Sequence, residues 1–330
     1  MAPSSSSAMV RLTAHGRWRV QQSLRALRQV AVLDLHRDPA RGLHLAGWQR
    51  SGSTWLARMV TSSASTRMVY EPSNIRSGLF TGGEPHLHPL PLANPTDDLG
   101  LEGQDIIDAL SGRISTTWTN PQVTDRLPRR RVVKDVRTVG AIPWIADRLP
   151  RTPVVLLLRH PVAVAHSIIE LGWNADAATT TTGAVPERDP LAATAAREAA
   201  LINEVSRWSH YHAFALRHPS SASIHVILYE ELVQDPSGEL TRLAAFLRRY
   251  PEHWGDWAPD PAKITAPSKT SFRRAETSAS AWIDSWSTAY APATLDAVSA
   301  VLEAEGIDRL YGPASRPLLS GDEVLRAMRS

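Results

Sequence analysis

A short run of glycine, serine and threonine with one arginine is the segment of this sequence best suited to bind an anion. It covers residues 47–54 (GWQRSGST), follows an apolar stretch with strand character and precedes an apolar helical pattern. Glycines let the backbone approach an anion closely, and the free N–H groups at a helix start donate hydrogen bonds to phosphate oxygens, as do hydroxyl groups. The segment therefore predicts a loop that binds phosphate or sulfate, with Arg50 as its cation.

The spacing of the glycines matches the start of the Walker A loop of ATP-binding proteins. Ser53, however, occupies the position of the lysine that holds the triphosphate in that loop. A nucleotide-dependent small-molecule kinase is therefore an alternative that this substitution disfavours. The same kind of turn also follows strands in α/β proteins that bind no phosphate, so the loop alone does not establish a site.

A second segment, residues 154–167 (VVLLLRHPVAVAHS), has the same strand-to-helix character. Arg159 lies at the end of the apolar run, Pro161 suits the first position of a helix, and Ser167 follows about two turns later. An arginine alone would be consistent with a surface ion pair, and a serine alone with a hydroxyl group bonded to its own helix. Together with the first loop they predict a second anion-binding segment.

Residues 50–56 (RSGSTWL) resemble the 5′-phosphosulfate loop of sulfotransferases that use 3′-phosphoadenosine 5′-phosphosulfate (PAPS) as the sulfuryl donor. In that family an arginine, followed eight positions later by a serine, binds the 3′-phosphate, and Arg159 and Ser167 fit this pattern, although His160 replaces the commonest asparagine. Residues 228–232 (LYEEL) resemble the family segment behind the nucleotide. The resemblance runs from about residue 43 to 250 and implies PAPS as donor without a metal ion.

The resemblance also assigns roles to individual residues. Trp55 would stack on the adenine, with a buried structural tryptophan as the open alternative, and Tyr229 would lie near the base. Arg273 is a further candidate cation for the 3′-phosphate, although the family's glycine-containing closing motif is not evident around it. The expected donor-binding residues are Arg50, Ser51, Gly52, Ser53, Thr54, Trp55, Arg159, Ser167, Tyr229 and Arg273.

Sulfuryl transfer to a hydroxyl group needs a base for the proton and positive charge near the leaving phosphate. Many cytosolic aryl and alcohol sulfotransferases have a histidine where this chain has Val136, which cannot accept a proton. In carbohydrate sulfotransferases of the N-acetylglucosamine 6-O type and in bacterial sugar enzymes, a Glu-Pro pair follows the second strand, as Glu71 and its proline do here. We therefore expect Glu71 to be the base, Arg50 to stabilise the leaving group, and Lys134 to line the acceptor or sulfonate site. The alternative is a loop carboxylate paired with Arg76.

Short apolar runs alternate with helical patterns along the chain, which predicts an α/β fold: a three-layer P-loop-like domain with a central parallel sheet flanked by helices. The expected strands are residues 43–48, 67–71, 131–134, 153–158 and 224–229. The expected helices are residues 54–63, 104–111, 140–149, 161–172, 190–217 and 237–249. Irregular stretches are expected at residues 72–103, 174–190 and 251–280. If they lie beyond the carboxyl ends of the strands, they border the ligand crevice.

The domain organisation expected is an N-terminal extension over residues 1–40 and a sulfotransferase domain over residues 41–330. The extension contains a basic amphipathic pattern at residues 17–35, which predicts a helix packed on the domain; peripheral contact with a membrane surface is the alternative. No apolar run of about 18 residues predicts a transmembrane helix, and no secretory signal pattern is evident. We therefore expect a cytoplasmic enzyme, and the arginine- and alanine-rich composition suggests a bacterial source.

The composition excludes several other classes of function. The chain lacks cysteine, which excludes disulfides and thiolate chemistry. Its 36 Lys and Arg residues against 33 Asp and Glu give a formal net charge of only +3, so nucleic acid is not an expected partner. His86 and His88 share one loop without neighbouring carboxylates, so no metal site is expected.

The sequence as a whole predicts a PAPS-dependent O-sulfotransferase that moves a sulfuryl group to a hydroxyl of a carbohydrate, glycolipid or natural product. The expected partner is a hydroxylated small molecule or glycoconjugate. A small-molecule kinase and a non-catalytic sulfonucleotide-binding protein are the alternatives. The acceptor, the position sulfated and the oligomeric state do not follow from the sequence.

Overall fold

The computed structural model of this 330-residue chain describes residues 32–63, 65–74, 89–121, 125–173, 190–264 and 283–330. Within these ranges five parallel strands form one sheet in the order β2-β3-β1-β4-β5. The strands are β1 Gly42–Gly47, β2 Thr66–Tyr70, β3 Arg130–Asp135, β4 Val154–Leu158 and β5 His225–Leu228.

Nine α-helices are described in the same ranges. They are α1 Ser53–Val60, α2 Gly100–Leu110, α3 Ile142–Arg148, α4 Pro161–Glu170, α5 Pro190–Arg217, α6 Tyr229–Gln234, α7 Pro236–Leu247, α8 Pro292–Ala304 and α9 Gly321–Ala327. Short 3-10 helices cover Pro39–Arg41, Val139–Ala141, Pro219–Ser223 and Pro261–Lys263. None of the helices in the described ranges has the length and apolar character needed to cross a bilayer.

Alternate residues of the central strands belong to two separate apolar clusters, one on each face of the sheet. Leu156 of β4 packs with helices α2 to α5, α8 and α9, whereas Leu157 packs with α1, α6 and α7. A parallel sheet requires crossovers between its strands, and the helices in these crossovers bury both faces. The expected fold class, three layers around a central parallel sheet, is confirmed.

Each strand lies within one residue of its expected bounds, and the six expected helices are present with ends that differ by at most four residues. Tyr229, expected to end β5, instead begins α6. Helices α6, α8 and α9 are not among those expected from the sequence. Residues 32–38 have no regular structure, so the helix expected over 17–35 does not include its last four residues; the remainder lies outside the described residues.

The segment before β1 packs against the amino-terminal end of the sheet. Asp34 is buried and accepts hydrogen bonds from the guanidinium groups of Arg67 on β2 and Arg131 on β3. Backbone carbonyl groups, including those of Leu110 and His36, accept the remaining bonds of Arg131. This ion network fixes the start of the sheet, at the opposite end from the segments with chemical character.

Candidate active site

The residues expected to do chemistry lie at the carboxyl ends of the strands. The predicted anion-binding segment, residues 47–54 (the anion loop), joins β1 to α1. Glu71 follows β2, Lys134 is near the end of β3, and Arg159 follows β4. Because the strands are parallel, these ends share one edge of the sheet. Ligands of open α/β sheets bind outside this edge.

The loop between β1 and α1 has a backbone that requires glycine. Gly52 has φ +94°, and a Cβ atom there would lie 2.6 Å from a ring carbon of Tyr229. Arg50 is also in the left-handed region, with φ 66°. The side chain of Ser51 is buried, and its hydroxyl group has no hydrogen-bond partner in the structure. A compact loop with a buried hydroxyl group that has spare hydrogen-bonding capacity fits an anion as its missing partner.

Trp48 anchors this loop to helix α5. Its indole N–H donates a hydrogen bond of 2.7 Å to Glu204 Oε1, and its ring packs against Tyr211 and His212. Neither Trp48 nor Glu204 was among the site residues expected from the sequence. A tryptophan within a glycine-containing loop was the available signal, since a buried indole N–H usually has a hydrogen-bond partner.

The structure brings the two expected anion-binding segments into direct contact. Arg50 Nε donates to Ser167 Oγ at 3.0 Å, and the Arg159 guanidinium donates to the backbone carbonyl of Arg50 at 2.9 Å. The Arg159 guanidinium also lies 4.4 Å from the ring centroid of Tyr229. Burial and then the charge of Arg159 lower the pKa of Arg50. Two adjacent cations make this edge attractive to anions.

Trp55 is buried and packs edge-on against Tyr229, with ring centroids 6.1 Å apart. This arrangement is the structural alternative stated above, and adenine stacking by Trp55 stays a prediction. Ser53 and Thr54 begin α1, with Ser53 buried. Arg273, His86, His88 and Arg76 lie outside the described residues.

Glu71 forms a buried ion pair with Lys134. The distance from Lys134 Nζ to Glu71 Oε1 is 2.5 Å, and Asn74 Nδ2 donates to Glu71 Oε2 at 3.0 Å. Burial opposes ionisation of the carboxyl group, but the Lys134 charge and these hydrogen bonds outweigh it and lower the pKa of Glu71. The Glu71 side chain is therefore a carboxylate at neutral pH.

The backbone around Glu71 is strained and held on several sides. Its φ is 39°, its N–H donates to the Lys134 carbonyl at 2.7 Å, and its own carbonyl accepts from Trp118 Nε1 at 3.2 Å. Buried Asp135 accepts hydrogen bonds from the backbone N–H and the hydroxyl group of Ser73. Such backbone strain persists where the surroundings enforce it. Trp118, Ser73 and Asp135 were not among the site residues expected from the sequence.

Tyr70 connects the Glu71 turn to the anion loop. Its hydroxyl group interacts with the Thr54 hydroxyl group and the Glu71 carboxylate, and Lys134 Nζ lies 4.7 Å from its ring centroid. Burial and then the Glu71 charge raise the pKa of Tyr70 to about 12, so the phenol keeps its proton. The Tyr70 side chain thus interacts both with the Glu71 carboxylate and with Thr54 of the anion loop.

His160 begins α4 by accepting a hydrogen bond from the Val162 backbone N–H through Nδ1. Its ring stacks on Trp286 at 4.5 Å, and its backbone N–H donates to buried Glu230. Burial lowers the pKa of His160 to about 4, so the ring is neutral near pH 7. The replacement of asparagine by histidine therefore preserves the helix cap and adds no charge.

The described residues contain no group of three or more His, Asp and Glu side chains arranged to hold a metal ion. The candidate site therefore consists, within those residues, of two arginines, one ion pair and hydroxyl groups. This set suits the binding of an anion and the removal of a proton from a neighbouring hydroxyl group.

Solved structures with similarity to this chain include a sulfotransferase from Alicyclobacillus acidocaldarius, at 17% identity and a TM-score of 0.35, covering 79% of this chain and 95% of that one. A sulfotransferase domain from the curacin biosynthetic pathway is 14% identical with a TM-score of 0.37, and the match covers 80% of this chain and 97% of that domain. A sulfotransferase domain from the Synechococcus PCC 7002 olefin synthase is 16% identical with a TM-score of 0.35, and the match covers 78% of this chain and 94% of that domain. A search of curated proteins gives no match.

A family profile described as "Sulfotransferase family" matches residues 43–251. The match begins in β1 and ends beyond α7, so it includes the anion loop, Glu71, Lys134 and the Arg159 segment. It covers more than half of the chain and the whole edge at which the charged groups meet, and on this ground the chain belongs to the sulfotransferase family.

Proposed function

We propose that this protein is a PAPS-dependent O-sulfotransferase whose acceptor is a hydroxyl group of a carbohydrate, glycolipid or natural product. The observation that carries the proposal is the buried Glu71 carboxylate, held ionised by Lys134 and joined through Tyr70 to the anion loop. A base and an anion-binding loop that share one contact residue are the two components that sulfuryl transfer requires.

The chain's own residues fit a sulfonucleotide. The Ser51 hydroxyl group is buried without a partner, and the Arg50 and Arg159 guanidinium groups lie against the same loop. Arg50, Ser51, Gly52, Ser53 and Thr54 would hold the 5′-phosphosulfate, and Arg159 with Ser167 the 3′-phosphate. PAPS, when bound, supplies the sulfuryl group and a stable phosphate leaving group.

The roles of the other residues follow from their charges. Glu71 accepts the proton of the acceptor hydroxyl at a carboxylate oxygen, which increases the nucleophilicity of that oxygen. Arg50 stabilises negative charge that develops on the leaving phosphate. Lys134 keeps Glu71 ionised and places positive charge where the transferred sulfonate would lie.

The carbohydrate or natural-product acceptor is supported by the use of a glutamate in place of the histidine of aryl and alcohol enzymes. At the histidine position this chain has Val136, whereas Glu71 is a buried carboxylate that pairs with Lys134 and interacts with Tyr70. Exposed Trp173, which lies 5.7 Å from the Arg50 guanidinium, offers a ring surface beside the site. Aromatic rings of this kind pack against sugar faces and other planar acceptors.

The experiment that tests the proposal is transfer of labelled sulfate from PAPS to a pool of extracted glycolipids and secondary metabolites by the Glu71→Gln variant. General-base catalysis contributes about 10² to 10⁴ in rate, so transfer should fall by that factor while binding of adenosine 3′,5′-bisphosphate, measured by calorimetry, is retained. Glu252→Gln, at an exposed glutamate, is the matched control. Near-normal transfer by Glu71→Gln would refute the role of Glu71, and absence of transfer by the wild-type protein to every pool would refute the acceptor class.

A further inference from the structure

A cavity of about 760 Å³ lies at the edge of the sheet, away from the candidate active site. It is bounded by the start of the edge strand β5 and by helices α7 and α9. The candidate active site, in contrast, lies beyond the last residue of β5, where Tyr229 begins α6. The volume falls within the range of about 300 to 1,000 Å³ that is typical of small-molecule sites.

One wall of this cavity is apolar and aromatic. Phe246 of α7 stacks on His225 of β5, with ring centroids 5.0 Å apart and planes 18° from parallel. Ile224, Val226 and Leu325 complete the apolar lining. A wall of this kind accommodates a flat or branched hydrocarbon body.

His225 contributes a polar atom without a partner. The residue is 8% exposed and lines the cavity, and its Nε2 atom is buried with no hydrogen-bond partner in the structure. Burial, followed by the charge of Arg242, lowers the pKa of His225 to about 4, so the ring is neutral near pH 7. A buried nitrogen without a hydrogen bond is unfavourable, and an occupant that bonds to Nε2 would remove that cost.

The mouth of the cavity is lined by arginines, namely Arg242, Arg249, Arg326 and Arg329. Arg242 is neutralised, since it pairs with Glu231 at 3.0 Å and Glu239 at 2.6 Å and also lies 3.5 Å from Asp322. None of the other three forms an ion pair with a carboxylate in the described part of the chain. Arg249 lies over the Phe246 ring at 5.5 Å, and Arg329 Nε donates to the Leu216 carbonyl at 3.3 Å. Hydrogen bonds from Ser320 and then the charge of Arg326 lower the pKa of Glu323. Three guanidinium groups that no ion pair neutralises, around an apolar wall, favour an anion.

We propose that this cavity binds a small organic anion, with its hydrocarbon body against Phe246 and Leu325 and its carboxylate, sulfate or phosphate group facing Arg249, Arg326 and Arg329. A polar atom of the ligand bonds to His225 Nε2. The guanidinium group recognises all three oxyanions through paired N–H groups, so the shared chemistry is that of an oxyanion on an apolar body. This site is separate from the sulfuryl-transfer site and does not depend on the proposed function.

Three naphthalene derivatives with the same ring system test the site on the full-length protein: 1-naphthoate, 1-naphthyl sulfate and 1-naphthyl phosphate. Calorimetry should give saturable binding of at least one of them, and saturating adenosine 3′,5′-bisphosphate should leave that binding unchanged. The arm that binds most tightly identifies the oxyanion. Because a charge-assisted hydrogen bond contributes about 1.5 to 3 kcal/mol, Arg326→Gln combined with Arg329→Gln should weaken binding by about tenfold or more.

His225→Phe keeps the stack on Phe246 and removes Nε2, so it should weaken binding without loss of the fold. Arg316→Gln, at an exposed arginine outside the cavity, should have no effect. The arginine pair is exposed, so its substitution tests the site even where His225→Phe does not fold. The proposal is overturned if no naphthyl anion binds at up to about 10 mM, a concentration well above that expected for a specific site. It is also overturned if the adenosine bisphosphate displaces the ligand, or if the double arginine variant binds as the wild type does.

Discussion

Replacement of Lys134 by methionine should shift the ionisation of Glu71 and with it the pH range of activity. Methionine keeps an unbranched side chain, one heavy atom shorter, and removes the ammonium group with its charge and its hydrogen bond to Glu71. In the structure the Lys134 ammonium group is 2.5 Å from Glu71 Oε1, and both side chains are buried. Without that cation, the Glu71 carboxyl group keeps its desolvation, the hydrogen bond from Asn74, the interaction with the Tyr70 hydroxyl group and the charge of Arg137.

The expected size of the effect follows from the charges. Opposite charges about 4 Å apart interact by about 4 kcal/mol at an effective dielectric constant near 20. Since about 1.36 kcal/mol corresponds to one pH unit, the acid limb of the activity profile should move upward by about two to three pH units. The sign follows from the proposed mechanism: the base must be ionised, and Glu71 in the variant ionises only at higher pH.

Two measurements check this prediction. The pH dependence of single-turnover sulfate transfer reports the acid limb, and ¹³C NMR of glutamate δ-carboxyl groups reports ionisation without any acceptor, with Glu71→Gln identifying the signal. Lys263→Met is the matched control, since Lys263 is exposed and pairs with Asp260 at 3.2 Å. The control should change neither measurement.

An acid limb and a Glu71 signal that both stay in place in Lys134→Met would refute the reasoning, because the ion pair would then not determine the ionisation of Glu71.

A second test measures how the ion pair contributes to stability. Removal of one partner of a buried ion pair typically costs about 3 to 5 kcal/mol, so Lys134→Met should be destabilised above neutral pH, and Lys134→Met combined with Glu71→Gln should recover part of the loss.

Three further predictions concern the loop, the second arginine and the buried histidines. Gly52→Ala should lower the free energy of unfolding by about 2 to 4 kcal/mol, because it adds a Cβ atom 2.6 Å from Tyr229 at φ +94°. Gly172→Ala, at φ +65° with no atom within 4 Å of the added Cβ, should show only the smaller loss that comes from the unfavourable backbone conformation. Equal losses for the two variants in denaturant titrations would contradict this account. Arg159→Ala should weaken adenosine 3′,5′-bisphosphate more than adenosine 5′-phosphosulfate in calorimetry, whereas an equal loss for both ligands would separate Arg159 from the 3′-phosphate. Burial lowers the pKa of His44, His160 and His225 to about 4 and that of His212 to about 3. In the unfolded chain these histidines bind a proton near pH 6.5, so the free energy of unfolding should fall as pH decreases from about 6.5 toward 4, by roughly 2 kcal/mol per histidine at pH 5. A midpoint of unfolding that does not change between pH 7.5 and 5 would exclude this prediction.

The parts of this fold that were predictable are those encoded locally. Short apolar runs, most of them with β-branched residues, gave every strand within one residue, because burial on both faces of a parallel sheet leaves little ambiguity in such runs. The error at Tyr229 has a local cause. The run of residues 224–229 stays apolar up to that tyrosine, while α6 begins there with acidic residues in its first turn.

The contacts within the site were not predictable, because they depend on strand order. Glu71 and Lys134 are 63 positions apart. They meet because β3 lies next to β2, with Tyr70 paired with Lys134 in the register of the two strands. The order of parallel strands is set by crossover packing, which no single segment specifies. The contact between Arg50 and Ser167 likewise required both loops to reach the same edge of the sheet.

A buried cation in this sheet does not by itself indicate function. Arg131 is as buried as Lys134, yet it belongs to the network with Asp34 at the amino-terminal end, where backbone carbonyl groups satisfy its other hydrogen bonds. A fully bonded network of this kind fixes the chain segment before β1 and leaves no capacity for a ligand.

The pair at the other end differs in two respects. Glu71 has a left-handed backbone that a non-glycine residue adopts at a cost, and it lies where ligands of this fold bind. A buried ion pair adds little net stability over apolar side chains of the same volume, so stability does not account for Lys134 and Glu71 at this position. Strain, desolvation and location together therefore favour a role in proton transfer, which replacement of both residues by apolar side chains should abolish while the fold persists.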